Sequence, residues 1–233
     1  MICNVPKVCL SAAVLGGIAA VMAGCATVGG PEMSFRRASF MEGQGCRGND
    51  CASVIVAEGR MTRETPRQFA EFVKAQAKVG PTRNVVMMSS PGGHVGGSIA
   101  MGLMLRSLGS TVLVAKADTT ADGTISNMQP ARCYSACAYT IMGAKRRIVP
   151  TGSQIGIHRM HSFGNASDPT RETQGTRYLT AGQNEVGLLK KYVSGVGIDP
   201  KVVDLAETIS PDDIRVLSVD EMRRFRMPVD RPF

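Results

Sequence analysis

The chain has no tryptophan, and aromatic residues make up only 5% of its 233 positions. Surfaces that stack nucleic-acid bases need aromatic platforms, so this scarcity argues against base-stacking chemistry. Dense basic runs are missing as well. The net charge is +8, yet the clusters are small, at Lys145-Arg146-Arg147 and Arg223-Arg224-Phe225-Arg226. Scattered charge of this kind describes a solvated basic surface, suited to anionic lipid headgroups and not to a nucleic acid. No pair of cysteines has C-x2-C spacing, which removes the usual pattern of a zinc site. His158-Arg159-Met160-His161 lacks the carboxylate of a zinc-protease motif, so neither metal nor cofactor is expected. There is no internal repeat, and after residue 23 no second long apolar run.

The first such run does exist. Lys7 precedes an apolar stretch from Val8 to Ala23 that ends in small residues. A positive start, a short apolar core and a small-residue exit predict a secretory signal over residues 1–24. Met22-Ala23-Gly24-Cys25 resembles the lipobox of bacterial lipoproteins. Ala23 and Gly24 fit it; Met22 departs from it, since Leu, Val or Ile is usual there. The resemblance implies lipidation of Cys25 and a mature chain starting at that residue. Ala26 then resembles an outer-membrane sorting residue. The expected location is the cell envelope of a Gram-negative bacterium, lipid-anchored and facing the periplasm. Residues 25–51 are rich in glycine and polar residues without a clear period, and are expected as a tether. Residues 52–233 remain as one domain, large enough for a sizeable core.

Beyond the signal and Cys25, four cysteines form two close pairs, Cys46 with Cys51 and Cys133 with Cys137. An even number in an exported chain favours disulfides. Within a regular helix, positions four apart bridge poorly. If Cys133 precedes the helix, the bond becomes feasible and locks the turn that carries Ser135.

The domain alternates strands and helices. Val54–Ala57 and Asn84–Met88 read as buried strands, Thr65–Val79 and Ser98–Leu108 as helices, and Thr111–Ala115 as a further strand. Residues 118–132 read as a long polar loop that could cover or block a cleft. Ser135–Met142 reads as a buried helix, Arg146–Val149 and Gln154–His158 as short strands. A loop over 163–169, helices over 170–193 and 200–209, the segment Val216-Leu217-Ser218 and a charged final helix complete the pattern. It predicts an α/β fold with a mainly parallel sheet and crossover helices.

Three segments carry chemistry. Ser135, in Cys133-Tyr134-Ser135-Ala136-Cys137-Ala138, stands where a loop enters a helix. Such a serine is ordinarily an N-cap; it is also where free amides and the helix dipole meet a developing negative charge. Ala136 would be one oxyanion donor. Pro91-Gly92-Gly93 breaks a buried strand, and two glycines let a substrate approach the main chain, with the Gly92 amide as second donor. His158 ends the strand Ile155-Gly156-Ile157, where it can act as base. His161 is the alternative partner, and His94 reads as an exposed loop residue.

Taken in order, these segments resemble the Clp protease proteolytic subunit within the ClpP/crotonase superfamily, from about Val54 to Asp230. Gly59 is similar to the early strand-end glycine, Ser90-Pro91-Gly92-Gly93 to the oxyanion segment, Ser135-Ala136 to the nucleophile and its donor, and Ile155-Gly156-Ile157-His158 to the histidine strand. Val216-Leu217-Ser218 resembles the C-terminal region. The resemblance implies a ClpP/crotonase-like fold, a Ser-His-Asp arrangement, peptide or unfolded-polypeptide substrates, and a homo-oligomer. The aspartate is expected just before Val216; direct register puts Ile214 there, so Asp213 is the first candidate, then Asp212, then Asp204. Export removes ATP and the chaperone ATPase as partners.

The expected function is thus a cell-envelope serine peptidase, ATP-independent. Two alternatives stand beside it: a Ser-Lys peptidase resembling signal peptide peptidase A, with Lys190 or Lys191 as base, and a non-catalytic lipoprotein that binds peptide or assembles envelope partners.

Overall fold

The computed structural model describes residues 30–40, 53–163, 178–180 and 183–227. The signal, Cys25, the Cys46–Cys51 pair and the loop expected over 163–169 therefore lie outside the described residues, apart from the backbone of Phe163.

The core is a sheet whose centre is parallel. Strand β2 (Ser53–Glu58) pairs in parallel with β3 (Thr82–Ser89), β3 with β4 (Thr111–Leu113), and β4 with β8 (Arg146–Ile148). The run Val86-Met87-Met88 is buried, as a strand covered on both faces must be. Helix α1 (Thr65–Gln76) crosses from β2 to β3 with Pro66 in its first turn, and buries Phe69 against Phe35 of the sheet at 5.3 Å between rings. Helix α2 (Val95–Ser107) follows β3 and packs on α3 (Ala136–Gly143), where Thr140 Oγ1 donates to Ser98 O at 3.0 Å.

The edge beyond β2 differs from the sequence expectation in two places. Residues 25–51 are not all tether: Ser34–Phe40 form β1, antiparallel to β2 and parallel to β6 (Thr124–Pro130). The folded domain therefore starts upstream of residue 52. Residues 118–132 are not a loop either. Strands β5 (Ala115–Thr119) and β6 (Thr124–Pro130) make a hairpin turned at Asp122, whose carboxylate accepts from Thr120 Oγ1 and from the Thr124 amide at 3.2 Å. Ala115, Ala117 and Ile125 close a second small core with Ala38, Val54, Val56 and Met87. Ser126–Pro130 are all exposed, so the alternation of β6 is carried by one inward residue, Ile125.

A second sheet orders β12 (Arg215–Val216), β9 (Gln154–Ile157) and β7 (Arg132–Tyr134). Beyond it come a two-stranded ribbon, β10 (His161–Phe163) with β11 (Tyr178–Thr180), then α4 (Gln183–Gly195), α5 (Lys201–Glu207) and α6 (Val219–Arg224). Tyr178–Thr180 thus form a strand where the sequence pattern reads as helix. Among the described residues no helix is long and apolar enough to cross a membrane.

Candidate active site

Strand β7 runs parallel to β9, with Tyr134 opposite Gly156. Continuing that register brings Ser135 and His158 to the same end of adjacent strands. The Ser135 amide donates to Gly156 O at 2.9 Å. Ser135 then takes φ 54°, ψ −126°, and α3 starts at the next residue. Its side chain does not cap the helix, so the N-cap role that a serine usually plays there is unused. A serine with positive φ between a strand and a helix has the geometry of a nucleophile turn, with Oγ lifted off the chain.

Cys133 and Cys137 are joined by a disulfide, with Cα atoms 5.2 Å apart. Cys133 lies in β7 and Cys137 is the second residue of α3, so the bond spans the turn instead of lying within one helix. Both cysteines are buried, as is every residue of α3. Arg147, 5% exposed, donates to Ile141 O at 3.0 Å and Met142 O at 2.6 Å, satisfying carbonyls at the far end of α3. Burial pushes its guanidinium down to about 10, which leaves it charged at neutral pH.

The oxyanion segment packs directly on this turn. Gly92 has φ 107°, and a Cβ there would stand 2.6 Å from Ser135 Cβ and 3.1 Å from the Ala136 amide nitrogen. Only glycine allows both the backbone angle and the approach. Ala136 opens α3, so its amide has no intrahelical acceptor. The Gly92 amide donates to Ser90 Oγ at 3.1 Å. Ser90, a residue with no assigned role in the sequence reading, thus holds one of the two expected donors. Next to this loop a cleft of about 490 Å3 opens between Ser89 and Pro91 on one side and Lys116 and Asp118 on the other. The hairpin mistaken for a loop is therefore one wall of the cleft.

His158 is buried, at 8% exposure. Strand β12 runs antiparallel beside it, with Arg215 opposite Ile157; one step further, Ile214 stands opposite His158. An Ile214 methyl would meet a Cβ at Gly156 at 2.5 Å. Asp212 and Asp213 are exposed in the preceding turn, where the Asp213 amide donates to Ser210 O at 3.1 Å. Asp204 pairs with Lys190 at 2.5 Å on the α4–α5 surface, and Lys191 is exposed. The structure brings Ser135, Ala136, Gly92 and the His158 strand together, and leaves Asp212, Asp213, Asp204 and both lysines at the surface. His94 is exposed and caps α2, its Nδ1 accepting from the Gly97 amide at 2.9 Å. Among the described residues no group of three or more His, Cys, Asp or Glu side chains is placed to hold a metal.

Fold and site together define an α/β chain with a strand–turn–helix serine beside a glycine loop. No protein-family profile matches it, and no curated protein matches it by sequence. Solved structures do. A serine-to-alanine variant of the 1510-N membrane-bound stomatin-specific protease aligns over 77% of this chain and 78% of its own, at 15% identity and TM-score 0.52. A lysine-to-alanine variant of 1510-N, in complex with a substrate peptide, aligns over 77% and 74%, at 16% identity and the same TM-score, 0.52. ClpP1 from Listeria monocytogenes aligns at 11% identity over 77% of this chain and 92% of that one, with TM-score 0.47. The fold is ClpP/crotonase-like.

Proposed function

We propose that the protein is a serine peptidase of the cell envelope. The reading rests above all on Ser135, a non-glycine residue at positive φ that heads a buried helix without capping it. Strain of this kind persists where surrounding structure over-determines it, and it collects at functional sites.

The Ser135 hydroxyl attacks a peptide carbonyl while His158 takes its proton. The oxyanion lies against the Ala136 amide and the glycine loop, where the Gly92 amide leaves Ser90 Oγ to donate. The protonated imidazole passes its proton to the leaving amine, and water then releases the acyl group from Ser135. Donors of this type contribute about 3–4 kcal/mol each to transition-state stabilisation. Substrate would lie along the cleft beside Pro91. An exported domain has no ATP or chaperone ATPase to feed it, so substrates are peptides or loosened polypeptides that diffuse in. Anchoring through Cys25, periplasmic exposure and a homo-oligomeric state belong to this proposal.

A Ser-Lys reading draws on the 1510-N neighbour whose lysine-to-alanine variant holds a substrate peptide. Lys190 is engaged by Asp204, which leaves Lys191 as the freer lysine on α4. Peptide hydrolysis by four variants separates the two. Loss in Ser135→Ala and His158→Ala, with Lys190→Ala and Lys191→Ala active, supports the histidine mechanism. Loss in a lysine variant with His158→Ala active supports the lysine one. A folded protein inert to every peptide offered would favour the non-catalytic binding lipoprotein.

A further inference from the structure

The acid of the site is the part that sequence register leaves out of place, since direct register puts Ile214 where the aspartate is expected. A different carboxylate reaches the chain beyond His158. Glu207 closes α5, and its Oε1 accepts from the Met160 amide at 3.1 Å. Its carbonyl accepts from Arg159 Nε at 3.1 Å, and Ile209 O accepts from the Arg159 amide, also at 3.1 Å. Three hydrogen bonds thus tie residues 159 and 160 to the end of α5, directly after His158.

The Glu207 charge is also felt on the nucleophile's helix. Tyr139 lies on α3, four residues beyond Ser135. Its phenol is buried, which pushes it well above the ordinary tyrosine range, and the Glu207 charge adds to the rise. Glu207 therefore binds the backbone after His158, and its charge reaches Tyr139 on α3.

We propose that Glu207 is the positioning carboxylate of this site: it holds the backbone that follows His158, and through it the imidazole, in the place of an aspartate beside β12. This rests on the Ser135–His158 reading above. Glu207 touches the Met160 amide, not the ring, so it acts by fixing the strand end and by placing a negative charge near it. Other ionisable groups on the neighbouring segments are Arg159 next to His158, Tyr134 on β7 opposite Gly156, and Arg215 on β12 opposite Ile157, with Asp212 and Asp213 exposed in the turn before β12. Of these Arg215 is held by Glu221 at 2.7 Å.

The test is an NMR titration of His158 in the full chain in detergent, its signal assigned by loss in His158→Gln. A nearby negative charge raises an imidazole pKa, so removing it lowers the midpoint. Glu207→Gln is expected to lower it by about half a unit or more, and Asp213→Asn by less than about a fifth of one. Fluorophosphonate labelling at pH 7 should slow about tenfold in Glu207→Ala and recover in Glu207→Gln, which keeps the acceptor oxygen. If Glu207→Ala fails to fold, the Gln variant alone decides. An unchanged midpoint in Glu207→Gln, or a larger shift in Asp213→Asn, overturns the proposal. The titration does not depend on turnover: a normal Glu207 shift in a chain that no probe labels would sink the peptidase reading and leave Glu207 standing.

Discussion

At Ser135 the backbone and the chemistry compete. Holding φ 54° without a glycine costs about 1–3 kcal/mol. The Gly156 carbonyl, the Gly92 contact and the disulfide keep the residue there. Ser135→Gly should therefore raise stability by up to about 1 kcal/mol, a rise of about 2–4 °C in Tm, while abolishing activity. A fall in Tm would show that the turn carries no strain. Gly92→Ala should do the reverse. Its Cβ would stand 2.7 Å from Tyr134 O and 2.6 Å from Ser135 Cβ, so about 2–3 kcal/mol of stability and at least a hundredfold in rate are expected to go. A variant that melts and reacts like the parent would contradict that packing. Motif order alone makes Ser135, Gly92 and His158 legible as a group, because each residue type is demanded by local geometry. The positive φ and the Ser90 hold on Gly92 are not legible, since both are imposed by contacts between segments far apart in sequence. The one-residue offset at Ile214 can be counted from the sequence; the carboxylate of Glu207 cannot, because only tertiary packing brings α5 to the end of β9.

Helix α3 is the element on which the site depends, and it is fixed at both ends. At its start the disulfide spans five residues, which contributes about 2 kcal/mol in a chain-entropy account. Replacing both cysteines by alanine should cost that much stability or less, read from chemical denaturation, yet slow fluorophosphonate labelling more than tenfold, since Ala136 then moves relative to Gly92. Equal labelling rates would make the bond a bystander. At the other end, Arg147→Met strips two carbonyls of their donor in a buried place and should cost about 3 kcal/mol, read from chemical denaturation. A loss under 1 kcal/mol would mean water replaces the guanidinium. The buried helix was readable from its small residues. The hairpin β5–β6 was not, because Ser126–Pro130 are all exposed and only Ile125 marks the inward face. Strand β1 hides for a similar reason: Arg36 and Arg37 interrupt its apolar alternation, and their guanidinium groups are used internally. Arg36 donates to Ala117 O at 2.6 Å and Arg37 to Ser53 Oγ at 2.7 Å.

At the scale of the whole molecule, the two sheets meet at the parallel Ser90–Cys133 bridge, which gathers the ends of β3, β7 and β9 into one place, so segments 89–93, 135 and 158 converge although some 40 and 20 residues separate them. That convergence follows from alternating strands and helices, which is why the fold class is legible in the sequence. The curl that turns the hairpin over β1–β3 was not, being set by packing of Ala115, Ala117 and Ile125. The proposed anchor belongs to this scale too. Full-length protein should partition with membranes, and Cys25→Ser should release it or leave it unprocessed; unchanged fractionation and mass would rule out lipidation at that residue. The central claim, that Ser135 is a nucleophile served by His158, is tested most directly by intact-mass detection of a fluorophosphonate adduct. The account predicts one adduct per chain, mapped to Ser135, absent in Ser135→Ala and in His158→Ala and retained in Lys191→Ala. An adduct that forms at full rate in folded His158→Ala, or that maps to another residue, would contradict it.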